Sequence, residues 1–143
     1  MVQSESIADV TEALVADLEY LEEWADRYSY LIDMGRELAP YPDELRTREY
    51  LVKGCQSQVW IHARKNGDVV EFQGDSDAMI TKGLLAMMIR LMHGQSPAAI
   101  VQADLGFLED LGLQSNLSPT RANGLSAMIE RMKREALLLQ EKT

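Results

Sequence analysis

Cys55 is the only cysteine in the 143-residue sequence and the residue best suited to do chemistry. It lies between Gly54 and the polar run Gln56-Ser57-Gln58, a composition typical of a turn. Strand-forming residues resume at Val59. These features predict two extended segments with Cys55 at the tip of their connection, where another protein can reach the thiol. An inert, buried thiol is the common alternative for a lone cysteine, and it stays open here.

The local charges favour a reactive thiolate. Lys53 is two residues from Cys55, and no acidic residue lies between Glu49 and Asp68. A nearby cation stabilises a thiolate, and a nearby carboxylate would oppose it. We therefore expect Lys53 to lower the pKa of the cysteine.

The two histidines offer an alternative chemistry. A pair of Cys55 and His62 would make a cysteine-nucleophile enzyme with a histidine base. His62 is seven residues away, on a predicted strand that leads away from the cysteine, so the spacing does not favour the pair. The cysteine and the histidines His62 and His93 also lack the spacing of a metal site. No nucleotide-binding or serine-hydrolase motif occurs.

Composition limits the class of protein. The net charge of −9 argues against nucleic acid as a partner. The acidic residues concentrate early in the chain, which is typical of solvated helix faces; a charge-steered protein partner is the alternative. One cysteine cannot form an intramolecular disulfide, so nothing indicates an oxidising compartment. The N-terminus does not resemble a signal peptide, and the longest apolar run is too short to cross a bilayer. We expect a single cytoplasmic domain over residues 1–143.

The first part of the chain predicts two helices. Apolar residues recur at helical spacing in residues 7–21, with acidic residues on the other side. A second amphipathic segment covers residues 22–38, and a hairpin of two helices is favoured over one kinked rod. Pro40 and Pro42 end the helical structure, and residues 41–49 are expected to form a loop.

The middle of the chain predicts three short strands at residues 50–53, 58–64 and 68–73. Asn66-Gly67 is a strong hairpin signal, expected to occupy both central positions of a type I′ turn. The strands would form an antiparallel meander that needs helices on one face for stability.

The last part predicts helices at residues 78–92, 97–102 and 119–139, with one or two turns in residues 106–111. Ser76 or Asp75 is expected to cap the first, while Ser96 and Ser118 precede prolines at the starts of the next two. The order of helices, three strands and helices predicts an α+β fold with a three-stranded antiparallel sheet packed against helices.

Three separated blocks of sequence resemble the SufE family of sulfur acceptors. The resemblance covers roughly residues 20–137 and extends to Trp24 and the segment at residues 28–35. The three blocks are Gly54-Cys55-Gln56-Ser57-Gln58-Val59-Trp60; Gly74-Asp75-Ser76-Asp77-Ala78 with Ile80 and Lys82-Gly83-Leu84; and Leu117-Ser118-Pro119-Thr120-Arg121 with Gly124-Leu125.

The resemblance implies a SufE- and IscU-like α+β fold and a role in sulfur transfer. Cys55 would accept sulfur from the persulfide of a SufS-like cysteine desulfurase, raise the turnover of that enzyme and pass the sulfur to an iron–sulfur cluster scaffold. Pyridoxal phosphate would belong to the desulfurase, and the chain would need no cofactor or metal of its own. The supporting loop and partner contacts would include Gly54, Gln56, Ser57, Asp75, Asp77 and Arg121. No nucleic acid or membrane partner is expected, and a homodimer stays open.

Overall fold

The computed structural model describes residues 5–141, which form an α+β fold as the sequence predicts. Helices precede and follow a central antiparallel β-hairpin. The elements are α1 (Ile7–Tyr20), α2 (Trp24–Arg36), a 3₁₀ turn (Asp43–Leu45), β1 (Val59–Asn66), β2 (Val69–Ser76), α3 (Met79–Met92), α4 (Pro97–Gln102), α5 (Phe107–Asp110) and α6 (Pro119–Glu141).

The first two helices are separate, which confirms the predicted break. Ser6 and Asp9 form a capping box at the start of α1, so each satisfies a backbone N–H of the other. The predicted apolar stripe is buried at Val10, Leu14 and Leu18. The hydroxyl of Tyr30 on α2 donates to Asp17 on α1 at 2.7 Å, so the two helices lie against each other at that point.

The sheet has two strands within residues 5–141, so the prediction of three is wrong. The segment expected to form the first strand makes only one isolated bridge, between Leu51 and Trp60. Turn hydrogen bonds hold the backbone just before it, from the N–H of Leu51 to the carbonyl of Arg48 for example. A new turn starts at Lys53, so the extended stretch is too short to continue the ladder.

The hairpin turn also differs from the prediction. Asn66 pairs with Val69, so the two connecting residues are Gly67 and Asp68. Of these two residues, only Gly67 has a positive φ, at 62°. A glycine with positive φ at the first central position is typical of a type II′ turn rather than type I′.

Helix α3 runs through the middle of the fold and packs on α2, β2 and α6. Its predicted capping residues are wrong, because β2 continues to Ser76, which pairs with Val59. Ala78 is the N-cap instead and gives no side-chain hydrogen bond. The other two caps are confirmed: Ser96 accepts from the N–H of Ala99, and Ser118 from the N–H of Arg121.

The buried face of the hairpin joins the helices in one core. Alternate strand residues point inward, and they pack with the apolar faces of α1, α3 and α6. The buried hydrophobic residues of the strands are Val59, Ile61, Val70 and Phe72, and Gly74 and Ser76 of β2 are buried beside them. No helix in the described part of the chain is long and apolar enough to cross a membrane.

Candidate functional site

The two ends of the loop that carries Cys55 lie next to each other. The N–H of Val52 donates to the carbonyl of Val59 at 2.8 Å and closes the stem. Gly54 has φ of 92°, a conformation that residues with a Cβ rarely adopt, and it turns the chain immediately before the cysteine. Cys55 is therefore at the tip of a short connection, as the sequence predicts.

The thiol is half-buried against the first turns of α6. Its Sγ lies 3.6 Å from the carbonyl oxygen of Gly124 and donates a weak hydrogen bond to it. The small cleft around the thiol has a volume of about 20 Å³, which is room for about one water-sized group. It is lined by Cys55, Gln56, Ser57, Thr81, Thr120, Arg121 and Gly124.

Burial raises the pKa of the Cys55 thiol above its ordinary value. Desolvation disfavours the charged thiolate, and this is the only cause of the shift. The expectation that Lys53 lowers this pKa is wrong, because no charged group contributes to the shift and Lys53 lines the neighbouring cleft rather than the one around the thiol. The protonated thiol is therefore the favoured form while it lies in its cleft.

The proposed base of a cysteine-nucleophile enzyme does not line the thiol cleft. His62 contacts Gln73, with 3.3 Å between Nδ1 and Oε1, and its ring packs edge-on against Tyr50. His93 accepts from the N–H of Phe72 at 3.0 Å. Cys55 and His62 are therefore not paired in the structure. Residues 5–141 contain no group of three or more histidine, cysteine or acidic side chains arranged to hold a metal ion.

Asp77 and Asp75 lie at the end of β2, beside the base of the loop. Asp77 accepts from the N–H of Gln58 at 3.0 Å and so fixes the last residue of the loop. Asp75 forms ion pairs with Arg46 at 2.7 Å and Lys82 at 3.2 Å. Burial opposes the charge of Asp75, but the hydrogen bonds from these cations and from the N–H of Ser76 outweigh it, and its pKa is lowered.

Arg131 supports the first half of the loop, and the sequence analysis missed it. Its guanidinium donates to the carbonyl oxygens of Glu49 at 2.8 Å and Leu51 at 3.2 Å, and also to Glu135 at 3.2 Å. The side chain is almost fully buried. One signal was present: Arg131 is three residues after Met128, on the apolar stripe of α6, where a cation needs buried partners.

The family comparison agrees with the three blocks around this site. Residues 12–136 match the model of the SufE family, described as an Fe-S metabolism associated domain. The chain belongs to the SufE family. That range contains both strands, α2 to α5, and the part of α6 that packs against Cys55.

SufE-like relatives match most of the chain. An uncharacterised SufE-like protein of Rhizobium meliloti is 40% identical over 130 residues, which cover 87% of this chain and 93% of the relative. A second, of Rhizobium etli, is 38% identical over 130 residues and covers 87% and 88%. The solution structure of a hypothetical protein from Thermus thermophilus matches with a TM-score of 0.75 at 22% identity, over 99% of both chains, and supports the fold alone.

The SufE-family residues singled out in the sequence fall into three groups. Gln56, Ser57 and Arg121 line the thiol cleft together with Cys55. Gly54 borders the neighbouring cleft, and Asp75 and Asp77 line neither. The sequence analysis did not name Thr81, Thr120 and Gly124 as site residues, because helices α3 and α6 bring them to the loop from distant positions in the chain.

Proposed function

We propose that this SufE-family protein accepts one sulfur atom on Cys55 from the persulfide of a pyridoxal-phosphate cysteine desulfurase. The observation that carries the proposal is a lone, half-buried thiol at a loop tip. The chain that holds it belongs to a family associated with iron–sulfur metabolism. The protein acts as a sulfur carrier rather than as an enzyme with its own cofactor. It raises the turnover of the desulfurase by removing sulfur, and passes the sulfur to a cluster scaffold in the cytoplasm.

The transfer is a thiol exchange that needs no oxidant. The Cys55 thiolate attacks the terminal sulfur of the donor persulfide, a new S–S bond forms on Cys55, and the old S–S bond breaks. The donor cysteine leaves as a thiolate and takes up a proton. The same exchange, with the acceptor thiolate attacking the sulfur on Cys55, releases the cargo to the scaffold. A second cysteine would be able to displace the sulfur by forming a disulfide with Cys55. The sequence has no second cysteine, so this loss of sulfur within the chain does not occur.

The loop gives each step a suitable environment. In the cleft, burial keeps Cys55 protonated and sheltered. When the loop tip leaves the cleft, the thiol loses the burial that raises its pKa there. Gly54 provides the turn, and Gln56, Ser57 and Arg121 surround the thiol or its added sulfur. Asp77, together with the Asp75 ion pairs at the end of β2, holds the base of the loop while the tip moves.

The test is sulfur loading followed by mass spectrometry. The protein is incubated with a cysteine desulfurase and cysteine, and the Cys55 peptide should gain the mass of one sulfur. Cys55→Ser should gain none and should keep the wild-type circular dichroism and melting temperature, because the side chain is only half-buried. Sulfur acquired by the serine variant, or no acquisition by the wild type, would contradict the proposal.

A further inference from the structure

Most cations in residues 5–141 have a structural partner, and the exceptions concentrate near the cysteine loop. Arg46, Lys82 and Arg131, for example, form ion pairs with carboxylates. Four side chains in that range have no hydrogen bond, ion pair or ring contact with the described residues: Arg48, Lys53, Arg121 and Arg134. Arg121 lines the thiol cleft, and Lys53 and Arg134 line the next cleft. Since packing does not require these charges, they are available to another molecule.

The second cleft begins at Gly54, the residue before Cys55, and lies between the loop and α6. Its volume is about 330 Å³, far larger than the thiol cleft. The exposed cations Lys53 and Arg134 border it, and Glu130 is its only acidic lining residue among those described. Arg131 also lines it, but its guanidinium is already bound to backbone carbonyls and Glu135. Two unpaired cations therefore face the cleft.

The part of the sequence that forms this cleft differs in charge from the part that forms the first two helices. The first 45 residues contain twelve acidic and two basic residues, whereas the remaining 98 contain eleven acidic and twelve basic residues. The charge is thus unevenly distributed along the chain, with its acidic excess in and around α1 and α2. Charged groups on an interface steer the encounter and set its orientation. The face that carries the cysteine loop suits an acidic protein surface, and two cations are too few for nucleic acid.

We propose that the cleft of Lys53 and Arg134, here called the loop-side cleft, binds a carboxylate-bearing segment of the desulfurase that borders its donor cysteine. This inference rests on the proposed function, since it assigns a docking contact for the same sulfur transfer. Because the cleft adjoins Gly54, a carboxylate held there fixes the partner next to the turn that presents Cys55. The contact would set the orientation of docking and leave the chemistry of the thiol unchanged.

The test is the double variant Lys53→Glu/Arg134→Glu, with sulfur loading of Cys55 measured at increasing concentrations of the protein against a fixed amount of desulfurase. The concentration that gives half-maximal loading should rise about tenfold, because two attractive contacts become repulsive. Added salt should raise this concentration for the wild type, whereas it should not for the variant, because screening weakens an attraction that the variant lacks.

The matched control is Arg36→Glu on α2, an exposed cation whose ion pair with Asp33 lies on the acidic end of the chain. It should leave the half-maximal concentration and its salt dependence unchanged. Melting temperature and alkylation of Cys55 by neutral iodoacetamide check the fold and the thiol of every variant. If the double variant unfolds, Lys53→Gln/Arg134→Gln should give a smaller rise in the same direction.

The outcomes separate the two proposals. The docking proposal would be overturned if the wild type loads sulfur and a folded double variant keeps the same half-maximal concentration and salt dependence. That result would leave the sulfur-carrier proposal intact. An equal rise for Arg36→Glu would also overturn it, because net charge rather than this cleft would then control docking. If the wild type gains no sulfur on Cys55, the proposed function fails, and the docking contact fails with it.

Discussion

The crossing of α2 and α3 and the loop that carries Cys55 both depend on glycine, but for opposite reasons. At the crossing, a Cβ on Gly83 would lie 2.3 Å from the carbonyl oxygen of Leu31, and a Cβ on Gly35 would lie 2.9 Å from the N atom of Gly83. In the loop, a Cβ on Gly54 would meet Ala127 at an ordinary 3.4 Å. The crossing has no space for a side chain, whereas the loop needs glycine for its φ angle.

The difference separates a tightly packed part of the molecule from a loop that, under the proposed function, moves its tip to a partner. Backbone contact between two helices permits one arrangement, so any added atom shifts both helices. The loop is fixed at its ends by the Val52–Val59 hydrogen bond and by Arg131 and Asp77, while Cys55 makes one weak hydrogen bond. Segments with few buried contacts open at low free-energy cost. A thiol that visits another protein requires such a segment on a rigid base.

Gly83→Ala tests the crossing and should have the largest effect on stability. Its new methyl group would overlap the backbone of α2, so we expect the free energy of unfolding to fall by about 3 kcal/mol and the melting temperature by roughly 10 °C. Urea unfolding followed by circular dichroism measures it. Gly124→Ala is the control in α6, since its Cβ would lie 3.6 Å from Cys55 Sγ, an ordinary contact. Equal losses in both variants would refute the contrast.

Arg131→Met tests the fixed base of the Cys55 loop. The carbonyl oxygens of Glu49 and Leu51 would lose their donor, which should cost about 2 kcal/mol. A looser stem should also expose Cys55, so alkylation by iodoacetamide at neutral pH should become faster. Arg134→Met is the matched control, because that neighbouring side chain is exposed and has no partner in the described chain. A similar stability change in both would contradict a special role for Arg131.

The smallest expected effect is the pH dependence of the Cys55 thiol. Burial raises its pKa in the folded protein, so alkylation should begin at higher pH than in the urea-unfolded chain. The same shift makes a contribution to stability that is present below the ordinary thiol pKa. That contribution is lost as the pH rises through the raised pKa. Wild-type stability should therefore decrease relative to Cys55→Ser across that range. Identical pH profiles for folded and unfolded protein would show that the cleft does not shelter the thiol.

Local pattern predicted the helices well. The stripe of α1, the Ser-Pro starts of α4 and α6 and the α+β order were all visible, because helical periodicity and caps involve residues within four positions of each other. The predictions that failed concern features that depend on contacts between residues distant in the sequence. Ser76 pairs with Val59 and stays in β2 rather than capping α3, and the segment before the loop has too little room for a third strand.

The site divides in the same way. The sequence predicted a lone thiol at a loop tip, and its neighbours Gln56 and Ser57, because a turn is a local property. It wrongly predicted that Lys53 lowers the pKa of Cys55, since closeness in sequence does not say which cleft a side chain lines. It also missed Arg131, whose carbonyl partners are about 80 residues away in the chain.

Sequence by itself determined which residue is the candidate for thiol chemistry and the kind of segment that carries it, because composition and turn chemistry are short-range. It also carried the family, through three blocks that agree in order and spacing. Only the tertiary structure decided what surrounds the thiol. Helix α6 covers Sγ with Gly124, holds the stem with Arg131 and places Arg134 across a cleft from Lys53. Burial and electrostatic environment depend on packing between distant segments, and they set whether the thiol is sheltered or presented.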